Sequence, residues 1–392
     1  MSQLLTTLVA GTAFAAIVLT GANTAHAVDP EPVIDDCRKD ISVKFGGQVN
    51  RAFLYGDNGE VDDTFFVDND NSSTRLRARA KGQINCDLSV GAQIEVQFES
   101  NSSAAIRFKQ NSSAGPNNFT ERKLEVWFDS ETWGRIWLGQ GDTASNGTSE
   151  VDLSGTAVVA YSSIEDMAGG LEFENGVRIR DASTNLDGLS RQDRVRYDTP
   201  TIAGFQLSTS VTDQNHWDLA LRYAQKFGGH KFAAAIAYVN QDFRQGGDYD
   251  YQVAGAASLL LDNGLNFTVA AGMQEDNIDG RGATTDPFFF YAKVGWILDL
   301  ISWGHTAIAF DFQYTDEVDA QDEEFYAYGA FVVQKIDHVG TEIYAGVRVH
   351  ELDADAAIGL AGDLATDANF TTNQVADPDD VFTFIVGARV KF

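Results

Sequence analysis

Cysteine is nearly absent, with only Cys37 and Cys86 among 392 residues. That excludes a disulfide-dense scaffold, and with no C-x-x-C pair it excludes a zinc ribbon as well. Proline is scarce at 6, so the turns must be made by the 36 glycines and by Asn and Asp. No run of 18 apolar residues occurs and mean hydropathy is −0.20, which rules out a membrane protein built of helices. A membrane protein built of strands stays open, because alternation dilutes its hydrophobicity. Basic residues are in short supply too. With 28 against 57 acidic ones the chain carries −29, which argues against gripping nucleic acid by phosphate neutralisation. Aromatics at 11% and charged residues at 22% argue against a wholly disordered chain.

The apolar run Leu8 to Leu19 is too short to span a bilayer and is followed by Ala25-His26-Ala27, an A-x-A-like cleavage site. Residues 1–27 read as a secretory signal peptide, although no Lys or Arg precedes the apolar run; the alternative is a buried N-terminal helix. Export implies an oxidising compartment. There Cys37 and Cys86 either form one bridge or stay as two buried thiols. A bridge would close a loop of about fifty residues and constrain the unfolded chain by a few kcal/mol.

Period-two alternation runs through the rest. Phe382, Phe384, Val386, Ala388 and Val390 share one parity, with Thr383, Ile385, Gly387, Arg389 and Lys391 between them. Leu76, Ala78 and Ala80 alternate with Arg75, Arg77, Arg79 and Lys81. The alternation predicts sixteen strands between 41 and 392, joined by turns such as Asn85-Cys86-Asp87 and by polar breaks at 57–72, 101–118, 141–189, 244–249, 276–285, 316–322 and 353–379. Many strands reach ten residues, enough to cross a bilayer when tilted. Short and long breaks alternate, and aromatics such as Phe53, Tyr55, Tyr197, Phe205, Trp217 and Trp303 sit toward strand ends. Only a closed barrel pairs every strand amide in hydrocarbon. The expected fold is a 16-stranded antiparallel transmembrane β-barrel; a soluble sandwich or solenoid fits less well.

A barrel this wide holds water. Arg75, Arg77 and Arg79 share the polar parity of one strand, and Arg194 and Arg196 that of another. On a lipid face each would cost about 2–4 kcal/mol, so they belong inside. The break 141–189 is far longer than a hairpin needs and begins with Asp142, Glu150 and Asp152. It either folds into the bore opposite the arginines or stays outside as a mobile loop of solvated charge.

These residues are recognisable. Val43-Lys44-Phe45-Gly46-Gly47-Gln48, Asn71-Ser72-Ser73-Thr74-Arg75-Leu76, Trp133 through Gln140, and Arg194-Val195-Arg196-Tyr197-Asp198-Thr199-Pro200 resemble, in order and spacing, a Gram-negative general porin, most of all the alphaproteobacterial porins. The resemblance implies a homotrimer in the outer membrane, surrounded by lipid and lipopolysaccharide, passing small hydrophilic solutes and ions by passive diffusion. It implies that the third external loop, 141–189, folds inside as a constriction. Arg75 matches the basic wall residue on the second strand and Arg122 the one on the fourth, where parity favours Lys123; Arg191 or Arg194 matches the one after the loop. Asp142, Glu150 and Asp152 are placed only by region. Residues 28–40 become a periplasmic extension ahead of a barrel spanning 41–392. Phe392 matches the signal read by the barrel-assembly machinery. Cys37 and Cys86 fall on the same side of the membrane, which favours their bridge.

Little else carries chemistry. No H-x-x-x-H, no G-x-S-x-G and no strand–helix glycine loop is present, so an enzyme is not expected, nor a required cofactor. Asp68-Asn69-Asp70-Asn71 departs from an EF-hand at Ser73 and Arg79. The acidic stretch Asp57 to Asp70 could hold Ca²⁺ adventitiously. Other readings are a solute-specific channel, or a barrel serving as an adhesin or structural protein.

Overall fold

The computed structural model describes residues 37–110, 119–213, 215–241, 249–275, 285–318, 323–354 and 378–392. The expected leader 1–27 and most of 28–40 lie outside them. Arg38–Phe392 forms one compact unit.

Seventeen strands among the described residues make a single sheet. They are β1 (Lys39–Asp57), β2 (Asp62–Asp68), β3 (Arg75–Gln83), β4 (Leu88–Phe98), β5 (Phe119–Ser130), β6 (Gly134–Asp142), β7 (Arg191–Asp198), β8 (Phe205–Thr212) and β9 (Trp217–Phe227). They continue as β10 (His230–Asn240), β11 (Tyr251–Leu260), β12 (Leu265–Glu275), β13 (Phe288–Ile301), β14 (Gly304–Asp316), β15 (Glu323–Ile336), β16 (Thr341–Ala354) and β17 (Val381–Lys391). Each pairs antiparallel with its neighbour, and β1 pairs with β17 from Gln48↔Lys391 to Asp57↔Phe382, which closes the barrel. β2 and β3 share one position in the wall: the far half of β1 pairs with β2 and the near half with β3. Counted as one, they give sixteen staves.

The expected break at 57–72 is therefore half strand. Asp62 and Asp63 give it the look of a loop, but Phe66 faces out and Phe65 and Val67 face in, so the alternation is present. A 3₁₀ turn at Asp70–Ser72 then interrupts the stave. The connection from β8 to β9, residues 213–216, is short although it lies on the rim of long loops.

Apolar residues of one parity coat the outside; Leu124, Val126 and Phe128 of β5 are 51%, 41% and 50% exposed. Rings line up across strands near the rim, as in Phe312–Tyr328 and Tyr314–Tyr326, where their amphipathic edges suit an interface. Both cysteines are disulfide-bonded.

The interior is only partly wet. The connection 143–190 contains two short helices, α1 (Glu165–Ala168) and α2 (Ile179–Ala182). Its Val158, Ile164, Met167, Leu171 and Phe173 form one apolar cluster with Leu54, Phe65, Phe289, Phe325, Leu352 and Ile385 from the inner wall and Ile106 from the β4–β5 connection. Each such side chain contributes roughly 1.5–3 kcal/mol on burial. Those inward apolar residues lie toward the loop-bearing ends of the strands, where they receive the connection.

Candidate functional site

The connection 143–190 is bonded to one side of the inner wall, strand after strand. Arg196 of β7 donates to the Thr143 carbonyl at 2.8 Å. Ser145 donates through its backbone N–H and its hydroxyl to the buried Asp218 of β9, at 2.7 and 2.6 Å. Arg222 of β9 donates to the carbonyls of Ala144 and Asn146. The Leu153 N–H donates to Ser258 of β11 at 2.9 Å. Lys293 of β13 pairs with Asp152 at 2.6 Å, with both side chains buried. Gln313 and Thr315 of β14 donate to the carbonyls of Thr184 and Ala182. Arg348 of β16, fully buried, pairs with Asp311 at 2.7 Å and reaches the Ile164 carbonyl.

On the opposite side stand the cations of β3 and β5. Glu95 of β4, nearly fully buried, draws in three guanidinium groups: Arg122 at 3.1 Å, Arg75 at 3.6 Å and Arg77 at 3.7 Å. Arg75 also donates to Ser72 at 2.9 Å. One carboxylate thus gathers three like charges that would otherwise repel. Parity alone cannot place Arg122 and Lys123 on the same face, but a bulge does. The ladder steps from Glu95↔Lys123 to Val96↔Glu121, leaving Arg122 as the extra residue. Arg122 then donates to Gln97 and Lys123 pairs with Asp142.

Between the two sides lies a polar cavity of about 710 Å³. Five cations line it, Arg75, Arg77, Arg122, Lys123 and Arg191, and seven carboxylates, Asp70, Glu95, Asp142, Glu150, Glu165, Asp166 and Asp187. Other expected residues lie elsewhere. Arg194 is buried against Glu125 at 2.6 Å and donates to the Gly139 carbonyl at 2.7 Å, where it braces the start of the long connection. Arg196 pairs with Asp198 at 2.8 Å. Asp152 is taken by Lys293. Arg79 lies over the Trp127 ring, nearer the short-turn rim. Phe392 exchanges backbone hydrogen bonds with Gly47 at the barrel seam.

Glu95 was missed in the sequence, although Gln93, Glu95 and Gln97 form a polar parity on β4 that marks them as inward. Glu165, Asp166 and Asp187 carried no signal in an aperiodic stretch. Burial pushes the Glu165 carboxyl up to about 7, with Ser163 donating a hydrogen bond that opposes the shift. Burial also raises Glu150, and raises Asp166 and Asp187 well above the usual carboxylate range. The acidic side of the cavity therefore gains charge as pH rises through neutrality. In a salt gradient, the reversal potential is expected to shift toward anion preference as pH falls from 8 to 6, with its midpoint near 7. Glu165→Gln is expected to flatten that step; an equal step in the variant would count against the assignment.

A family model described as Gram-negative porin matches residues 8–355. Among solved structures the chain is similar to an anion-selective porin from Comamonas acidovorans, at 14% identity and TM-score 0.56 over 90% of this chain and 100% of that one. It is similar to OmpT, an outer membrane protein of Vibrio cholerae, at 13% identity and TM-score 0.56 over 90% and 98%. It is similar to the outer membrane channel DcaP of Acinetobacter baumannii, at 14% and 0.53 over 90% and 97%. No curated protein matches the chain.

Proposed function

The chain belongs to the Gram-negative porin family and is an outer-membrane channel for passive diffusion of solutes, and from that premise we propose that the connection 143–190, which begins two residues later than the expected break because Gly141 and Asp142 end β6, is its constriction. The observation that carries this is the cavity itself: wall cations gathered by Glu95 face loop carboxylates across one aqueous gap. Opposed fixed charges make a transverse field, which sorts small solutes by size and charge without tight binding. Arg75, Arg122 and Arg191 form the basic edge, with Arg77 and Lys123 beside them. Glu150, Glu165, Asp166 and Asp187 form the acidic edge.

The family and fold point to a channel rather than an enzyme. A homotrimer set in lipid and lipopolysaccharide, delivered by the barrel-assembly machinery, completes the reading. It rests on the family and on the apolar outer coat.

Purified protein in planar lipid bilayers is expected to give steady, ohmic current steps in potassium chloride. A silent bilayer with folded protein would end the channel reading and leave the adhesin or structural alternatives. Saturable block by one neutral sugar would instead select a solute-specific channel.

A further inference from the structure

Below the constriction, toward the short-turn rim, the wall carries cations that have no ion-pair partner among the described residues. Arg79 of β3 and Lys44 of β1 stand directly opposite one another in register, and Lys81 follows two residues along. All three are exposed. Cross-strand partners share a face of the sheet, and that face holds Trp127, which is 1% exposed. Phe45 and Val43, 77% and 55% exposed, take the opposite, outer face.

Like charges placed directly opposite destabilise a sheet. This pair is also held in place by a built support. Trp127 of β5 crosses β4 at Gly91, where any Cβ would lie 2.1 Å from the indole ring, so only glycine leaves room. Having crossed, the ring receives the Arg79 guanidinium at 4.7 Å from its centroid. On the other side Trp127 packs on Trp137 at 5.3 Å, and Arg135 covers Trp137 at 4.9 Å. A stack of guanidinium, indole, indole and guanidinium thus fixes Arg79 without neutralising it. Arg135 is matched by Asp129 at 2.7 Å, and Arg77 shares Glu95. Asp40 lies at the start of the strand that bears Lys44, and it makes no ion pair with these cations among the described residues.

We propose that Lys44, Arg79 and Lys81 form an anion-binding station in the short-turn mouth, specific for multivalent oxyanions such as phosphate esters or polycarboxylates. It is separate from the constriction and rests on the channel reading. Three cations along two adjacent strands match a ligand that presents several negative oxygens, whereas chloride would satisfy only one at a time. Charge-assisted hydrogen bonds from a pre-positioned guanidinium give such a ligand a defined seat.

The test is open-channel block by inorganic tripolyphosphate in a planar bilayer, added to one side and then to the other at low ionic strength. Block is expected from one side at much lower concentration than from the other. Lys44→Gln, an exposed substitution, and Lys44→Gln with Arg79→Gln are expected to raise the half-blocking concentration progressively, by about tenfold or more for the pair. Trp127→Leu should weaken block while keeping all three charges. Block that is unchanged in the double variant, or absent in the unmodified channel while potassium chloride steps persist, would overturn this station and leave the channel reading standing. No steps at all would instead strike the channel reading itself.

Discussion

Lys293→Met is expected to unlatch the connection 143–190 and to raise both the single-channel conductance and its noise. The Lys293 ammonium is fully buried and donates to Asp152 and to the Ala160 carbonyl at 2.6 Å each, with the hydroxyls of Thr156 and Ser154 at 3.2 and 3.4 Å. Methionine fills a similar volume but leaves the buried Asp152 carboxylate without a counter-charge, held among the described residues only by the Ser154 backbone N–H at 2.6 Å. Breaking a buried pair in this way costs about 3–5 kcal/mol. At 1.36 kcal/mol per tenfold, the ratio of detached to seated connection rises by two to four orders of magnitude. The wall does not depend on this contact, because its strands are held by their own ladders. The double variant with Asp152→Leu removes both polar partners and leaves no orphan charge, so it should recover most of the unmodified conductance. Unchanged conductance and noise in Lys293→Met would show that the seat does not depend on this residue.

Neutralising Arg75, Arg122 and Arg191 together to Gln is expected to make the pore strongly cation-selective. The cavity then keeps two cations, Arg77 and Lys123, against seven carboxyl groups, of which the buried loop acids gain their charge only as pH rises, so the effect is largest above neutrality. In a tenfold gradient of monovalent salt the reversal potential should approach the ideal cation limit of about 59 mV. Glu95→Gln should act in the opposite direction, because three guanidinium groups lose the carboxylate that gathers them. Both readings come from the same zero-current measurement at fixed pH, since Glu165 titrates near neutrality. A reversal potential unmoved by the triple variant would separate these arginines from ion selection.

The wall was legible because a strand repeats every two residues and lipid demands the same residue class at each outward step. That is why β17 can be read directly from its alternating Phe, Val and Ala. β2 was hidden by Asp62 and Asp63, which lie at the rim where charge and strand coexist. Arg122 could not be settled by parity, because a bulge adds a residue without writing it in the sequence. Lys293 was visible in principle, as a lone cation on the inward parity of Phe289 and Tyr291, but its partner Asp152 lies 141 residues away. The acids of 143–190 were illegible for a different reason. Their places follow from where the wall bonds the connection, and no local period records that. Arg194 and Arg196 showed their face but not their role, since an inward arginine braces a loop as readily as it lines a bore.

The seam between β1 and β17 also constrains how the molecule comes to exist. Gln48 meets Lys391 and Asp57 meets Phe382, so the cylinder is sealed by segments at opposite ends of the barrel sequence. Until both are present, β1 offers an unsatisfied hydrogen-bonding edge that other chains can pair with. Such distant pairing is slow to find. The open ribbon must therefore be kept from other chains until its two margins can be zipped together.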